Sequence, residues 1–396
     1  MPPSTPQTSE DLLADIRRIA PELVEVRRQI HAHPELAFEE VETSNLVAEK
    51  LIAWGYEVER GIAGTGLVGR LRKGRGERRL GLRADMDALP IIERTGLPYS
   101  STVHGKMHAC GHDGHTAILL CAAKHLAEHG QFNGTLNLIF QPAEENEGGA
   151  LRMVDEGLFD RYPCDSIYAL HNAPGLPVGH MAMSAGPAMA SFDRATIELT
   201  GVSAHGAMPH HGVDPMQCAA SIVLGLQSLV SREVDAQRAA VITVGSVQSG
   251  EVFNIVPERA VIKIGVRALE PKVRAQIERR IKAFVHAQAE SYGLGCSIDY
   301  VNKYPVLVNE AEHTAFARQV AIGLLGPGKV SEREPTMGSE DFAYMLQRVP
   351  GAYVRLGNGV DTDGGCMVHN PGYDFNDDAL PIGAAYWVRL VHAALT

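Results

Sequence analysis

Residues 107–120, Met-His-Ala-Cys-Gly-His-Asp-Gly-His-Thr-Ala-Ile-Leu-Leu, constrain this chain more than any other stretch. Three imidazoles, a thiol and a carboxylate stand among two glycines, and an apolar run follows at once, the start of a buried helix expected over 115–129. Cys110 and His112 are two positions apart, so in an extended segment both side chains leave the same face. Thiolate and imidazole are ligands for zinc and its neighbours in the first transition row. The plainer alternative is a polar loop capped by Asp113, whose histidines merely lie near a helix start. Ligands elsewhere in the chain decide between the two.

At 396 residues the chain exceeds one ordinary core, which predicts two domains. No apolar run approaches the roughly 20 residues of a spanning helix, so no membrane partner is expected. The first ten residues carry neither a basic patch nor an apolar stretch and read as a frayed tail rather than a signal peptide. Six scattered cysteines form no disulfide framework, which favours a reducing, cytoplasmic setting. A net charge of −11 argues against nucleic acid.

Two helical patterns, 11–20 and 22–32, flank Pro21, and a third covers 41–54. The strand 79–84 runs into Asp85-Met-Asp87, placing two carboxylates past a strand end, where open α/β sheets bind ligands. The strand 135–140 leads to Gln141-Pro-Ala-Glu144-Glu145, and 165–170 leads to His171. Three apolar strands thus deliver ligand-type residues at one end. From 192 the order becomes β-α-β-β-α-β, the split βαβ sandwich, inserted into the larger domain. The expected fold is α/β: a larger mixed-sheet domain (1–186 and 303–396) with a smaller inserted domain (187–302).

The larger domain offers Cys110, His112, Glu145, His171 and His369 as metal ligands. Four would saturate one structural zinc, whereas five with a bridging group suit two metals sharing a water. Glu144, adjacent to a ligand but not needed as one, is the natural general base. Asp87 is a candidate partner for the second nitrogen of a ligand histidine.

These motifs resemble the amidohydrolase branch of the dinuclear metallo-carboxypeptidase and aminoacylase superfamily. The resemblance runs from His31-Ala-His-Pro-Glu-Leu through Arg83–Pro90, His108–Thr116, Gln141–Glu145, His171-Asn, Gly201–Pro209, Asn254–Pro257 and Met337–Phe342 to His369-Asn-Pro. It implies hydrolysis of the amide of an N-acyl amino acid, with Cys110 bridging the metals and Glu144 as base. The alternative within the same superfamily is a dipeptidase or carboxypeptidase-like enzyme or an N-acetyl-diamino-acid deacylase, and a non-catalytic metal-loaded binding protein is the reading from another class. The resemblance also implies that the larger domain is a catalytic domain of zinc-peptidase type and that the inserted domain is a dimerisation or lid domain, giving a homodimer or a higher homo-oligomer. His205 would then stabilise the oxyanion in the partner's site, and Asn254 and Arg267 would touch substrate. His33, His104, His108, His115, His210 and His211 are expected to be loop or supporting histidines. The chain departs from the wider superfamily in having Asp85 in place of a histidine and Cys110 in place of a bridging carboxylate. The softer ligand leaves zinc, manganese, cobalt and nickel open. Asn146 also stands where the family usually has glycine.

Overall fold

The computed structural model describes residues 8–145, 147–360 and 365–395; the Asn146 departure lies outside them. The chain opens with α1 (Ser9–Ala32) and α2 (Val41–Ala53), then β1 (Glu57–Ile62), β2 (Gly66–Lys73) and β3 (Arg79–Asp85). Next come α3 (His112–His129), β4 (Gly134–Gln141), β5 (Ser166–Pro174) and the short β6 (Met181–Ala182). The inserted region carries β7 (Ser191–Thr200), α4 (Pro215–Glu233), β8 (Ala240–Ser249), β9 (Arg259–Ala268), α5 (Pro271–Ser291) and β10 (Gly295–Tyr304). The closing part holds α6 (Ala311–Leu325), β11 (Val330–Ser331), β12 (Gly351–Gly359) and α7 (Leu380–Ala394).

Two compact units result: residues 1–186, 308–334 and 344–396 form one, and 187–307 with 335–343 the other. In the first, eight strands make one mixed sheet in the order β1-β2-β4-β3-β5-β12-β6-β11. Its centre, β4-β3-β5-β12, is parallel. β3 is buried at every position but its first, as expected of a parallel strand covered on both faces. α3 packs against α1, α7 and β3, and its run Thr116–Ala123 is buried all round, which marks an interior helix.

Two local expectations change. Pro21 does not divide α1, which is continuous. Its buried stripe, Leu12, Ile16, Ala20, Leu23, Val26 and Ile30, keeps helical spacing across the proline, so packing outweighs the lost backbone donor. β5 continues through His171 to Pro174, because β12 pairs with it along that length.

The second unit runs β-α-β-β-α-β and forms an antiparallel sheet in the order β8-β9-β7-β10. β7 and β9 alternate buried and exposed residues, so one face is packed under α4 and α5. Among the described residues no helix is long and apolar enough to cross a membrane.

Candidate metal centre

The C-terminal ends of β3 and β4 deliver Asp85 and Asp87, and Glu144 and Glu145, and the neighbouring β5 carries His171 within its run. The loop before α3 supplies the rest, though not as an extended segment. Gly111 sits at φ +89°, where a Cβ would lie 2.5 Å from Tyr373 Oη and 2.8 Å from Asn172 Oδ1. Only glycine makes this turn in this space. His112 is therefore the first residue of α3, and the chain reverses between the two candidate ligands rather than extending through them.

Donor atoms nonetheless converge. Those of Cys110, His112 and His171 lie within 4.8 Å of one another, and so do those of Cys110, Glu145 and His369. Cys110 is common to both groups. Glu144, buried, has a carboxylate oxygen within the same distance of His112 and Glu145. A further group, Asp85, His112 and His115, reads as an ion-pair network: Arg83 Nη1 donates to Asp85 Oδ2 at 2.7 Å, and His115 Nδ1 faces Asp85 Oδ1 at 2.6 Å.

The ligand-type histidines are oriented from behind. His112 Nδ1 lies 3.1 Å from Asp87 Oδ1, while the other oxygen of Asp87 accepts the Glu145 backbone N–H at 2.8 Å. One carboxylate thus fixes a ring and the chain carrying Glu145, leaving His112 Nε2 buried with no hydrogen-bond partner. His171 Nδ1 donates to the carbonyl of Asn172 at 2.7 Å, which turns the bare Nε2 towards Cys110 Sγ at 3.4 Å. His369 stands at φ +63°, a left-handed position that costs energy for a side chain. Its N–H donates to the Ala109 carbonyl at 2.7 Å, and its Nε2 lies 3.0 Å from Glu145 Oε1.

The electrostatics follow the contacts. Burial disfavours a charged His112, but Asp85, Cys110 and Asp87 outweigh it and hold its pKa well above the ordinary value. Burial, then His115 and Arg355, push His171 well below it. Hydrogen bonds to Cys110 and Glu145 push His369 up to about 10. Burial and the Glu145 charge push the Cys110 thiol up.

Several supporting residues had faint sequence signals. His115 lies three positions after His112 on the same helical face and reaches Asp85 and Asn172, whose backbone N–H and side-chain oxygen lie 3.0 and 2.8 Å from its Nε2. Asp113 is buried in the first turn of α3, with Arg27 Nε and His31 Nδ1 each 2.8 Å from its Oδ2. Glu40 gave no signal. It is wholly buried, and its Oε1 accepts the Ala143 N–H at 2.8 Å while Oε2 accepts the Thr65 hydroxyl. Ala143, at φ +53°, immediately precedes Glu144.

His205, Asn254 and Arg267 belong to the second unit. His205 is exposed and pairs with Ile255 in a two-residue ladder, and the Gly206 N–H donates to the Asn254 carbonyl at 2.7 Å. Arg267 Nη1 donates to the Met337 carbonyl at 2.8 Å, and its guanidinium lies over the Phe192 ring.

Residues 81–393 match the model of peptidase family M20/M25/M40, and the chain belongs to that family. It is 42% identical over 381 residues to the hippurate hydrolase of Campylobacter jejuni, covering 96% of this chain and 98% of the other. It is 39% identical over 379 residues to the IAA-amino acid hydrolase ILR1-like 2 of Arabidopsis thaliana, covering 94% and 84%. The crystal structure of a dinuclear metal binding peptidase of the M20 family from Bacillus subtilis matches with a TM-score of 0.83 at 31% identity, over 96% of this chain and 99% of that one.

Proposed function

We propose that the chain is a metal-dependent amidohydrolase that cleaves N-acyl or N-aroyl amino acids to a carboxylic acid and an amino acid. The observation that carries this reading is the pair of donor groups sharing Cys110 beside a buried Glu144, in a chain aligned along its length with a hippurate hydrolase. His112 Nε2, buried without a hydrogen bond, fits a bound cation, and so does a donor set of thiolate, imidazole and carboxylate. Cys110, His112 and His171 would hold one divalent ion, and Cys110, Glu145 and His369 the second; zinc, manganese, cobalt and nickel all suit them. Two such ions make a water more acidic and polarise the scissile carbonyl.

The chain's own residues handle the protons and orientation. Glu144 takes the proton of the attacking water and returns it to the departing amine nitrogen. Asp87 keeps the His112 ring and the Glu145 backbone in place. From the second unit, His205 would stabilise the oxyanion across a homodimer, and Asn254 and Arg267 would hold substrate. The edge strand β8 and the exposed Val247, Phe253 and Ile255 favour that unit as the dimer contact. Six free cysteines are in keeping with a reducing cytoplasm.

The deciding assay is metal-dependent release of amine from hippurate, N-acetyl amino acids and dipeptides. Activity on the first two supports the proposal, activity on dipeptides alone makes the chain a peptidase, and two bound metals with no turnover would make it a binding protein. Glu144→Ala should lower kcat by about 10²–10⁴-fold with metal still bound; near-normal turnover removes it as the base.

A further inference from the structure

We propose that His115, held by Asp85, is a positioning residue for His171: it takes the place of a sheet neighbour that β5 has lost, and so fixes the backbone that orients the His171 ring. This rests on the reading of His171 as a metal ligand given above.

Backbone groups of successive residues in a strand point to alternate sides, and in a parallel strand the N–H and C=O of one residue point to the same side. The Ile167 N–H donates to the Pro350 carbonyl, on the β12 side, at 3.0 Å. The register with β12 then runs unbroken from Ile167 to Ala173. Asn172, five positions on, therefore turns its N–H and C=O away from β12 and towards β3. On that side β3 pairs with β5 only as far as Arg83 and Ala169, and it ends at Asp85. Asn172 is buried, so both backbone groups need partners that the sheet no longer offers.

Two histidines supply them. The Asn172 carbonyl accepts the Nδ1–H of His171 at 2.7 Å, and the Asn172 N–H lies 3.0 Å from His115 Nε2. The side-chain oxygen of Asn172 is 2.8 Å from the same nitrogen, and its amide donates to the Tyr373 hydroxyl. A bare Nε2 accepts the backbone N–H, and a protonated one donates to the side-chain oxygen, so the ring grips Asn172 in both states. The other nitrogen of His115 is fixed from behind: Asp85 Oδ1 accepts its Nδ1–H at 2.6 Å, and Arg83 Nη1 donates to Asp85 Oδ2 at 2.7 Å. Contacts thus run from Arg83 through Asp85, His115 and Asn172 to His171, whose Nε2 faces Cys110 Sγ at 3.4 Å. The His115 and His171 ring centroids are 4.5 Å apart, so His115 also walls the ring it positions. What Asp87 does for His112 by direct contact, His115 does for His171 at one remove.

Metal-free protein labelled with ¹⁵N-histidine tests this without turnover. The His171 Nδ1–H, identified by its loss in His171→Gln, should exchange slowly with water. His115→Asn keeps a donor for Asp85 but is too short to reach Asn172, and it should speed that exchange by about tenfold. His115→Gln, whose amide reaches nearer the Nε2 position, should restore part of the protection. Zinc binding followed by calorimetry should weaken by about 10–100-fold in His115→Asn and by less in His115→Gln. If the wild type binds no zinc but the exchange still depends on His115, the metal reading fails and the hold on the ring stands. If folded His115→Asn keeps the wild-type exchange rate, or binds zinc as tightly as the wild type, the positioning role is overturned. Should His115→Asn not fold, the Asn172 amide of the wild type decides. Exchange as slow as that of the β5 amides paired with β12 supports the role, and fast exchange overturns it.

Discussion

The two ends of α3 bury histidines equally well and treat them in opposite ways. At the N-terminal end, His112 faces Asp87, His115 faces Asp85, and Asp113 gathers Arg27 and His31. At the C-terminal end, His125 is buried with neither ring nitrogen hydrogen-bonded. Burial pushes its pKa down to about 4, with His129, His392 and Lys73 adding to the effect. The Lys73 ammonium lies beside it because it caps the helix, donating to the carbonyls of Leu126, Ala127 and Gly130. His108, near the first end, is a control: it too lacks partners on both nitrogens and is pushed down to about 4 by burial. A hydrogen-bonded carboxylate, rather than depth in the protein, therefore separates His31 and His112, whose pKa values are raised, from His108 and His125, whose values are lowered. The end that carries the candidate ligand His112 is built from compensated charge, and the far end from packing.

The largest test of this contrast is Asp113→Ala. It would leave the Arg27 guanidinium and His31 facing each other without their shared anion, and removing one partner of a buried pair costs about 3–5 kcal/mol. Urea unfolding of the metal-free protein should show that loss. A change below about 1 kcal/mol would mean that Asp374, which Arg27 also pairs with, suffices to hold the end together.

His31 gives the next effect, and its sign is set by pH. Burial disfavours its charge, but Asp113 and Glu93 raise its pKa from 6.5 to about 9. Its contribution is therefore complete below about pH 6.5 and is lost as pH rises through about 9. The shift corresponds to about 3 kcal/mol. The stability gap between wild type and His31→Gln should be widest near pH 6 and nearly closed by pH 10. A gap that widened with pH would contradict the pairing.

Much of this was legible in the sequence, for physical reasons. Strands β3, β4 and β5 announce themselves by apolar runs that stop at acids or histidine, because the end of a parallel sheet is where polar side chains can converge. The inserted region was readable from its alternation of periods. The turn at Gly111 was not, since spacing alone cannot distinguish an extended Cys-Gly-His from a reversal forced by Tyr373 and Asn172, both distant in sequence. Glu40 was invisible for a similar reason: the buried N–H that it satisfies, at Ala143, is 103 residues away.

Glu40 offers a smaller test on the same charged side. Burial first, with the Asp87 charge adding, raises its pKa to about 7. Its Oε1 accepts the N–H of the left-handed Ala143, which precedes Glu144, while Oε2 is held by the Thr65 hydroxyl. Glu40→Gln keeps an acceptor for Ala143 and should retain kcat within about threefold, whereas Glu40→Ala should lose about tenfold in kcat with little change in KM. Equal kcat in all three folded proteins would reduce Glu40 to a packing residue.

The smallest effect belongs to the dry end. His125→Leu removes two buried nitrogens without partners, and replacing unsatisfied polar atoms by an apolar group of similar size is close to neutral, so at pH 8 the change should stay within about 1 kcal/mol. The pH dependence carries the information. The folded pKa of His125 lies below its unfolded value of 6.5, so the unfolded chain binds the proton more readily, and the wild type loses stability as pH falls from about 6.5 towards 4. The leucine variant lacks that source of acid sensitivity and should gain on the wild type across this window, the reverse of the trend at His31. If the two proteins instead lose stability in parallel on acidification, His125 has found an acceptor, and the two ends of α3 are built on the same principle after all.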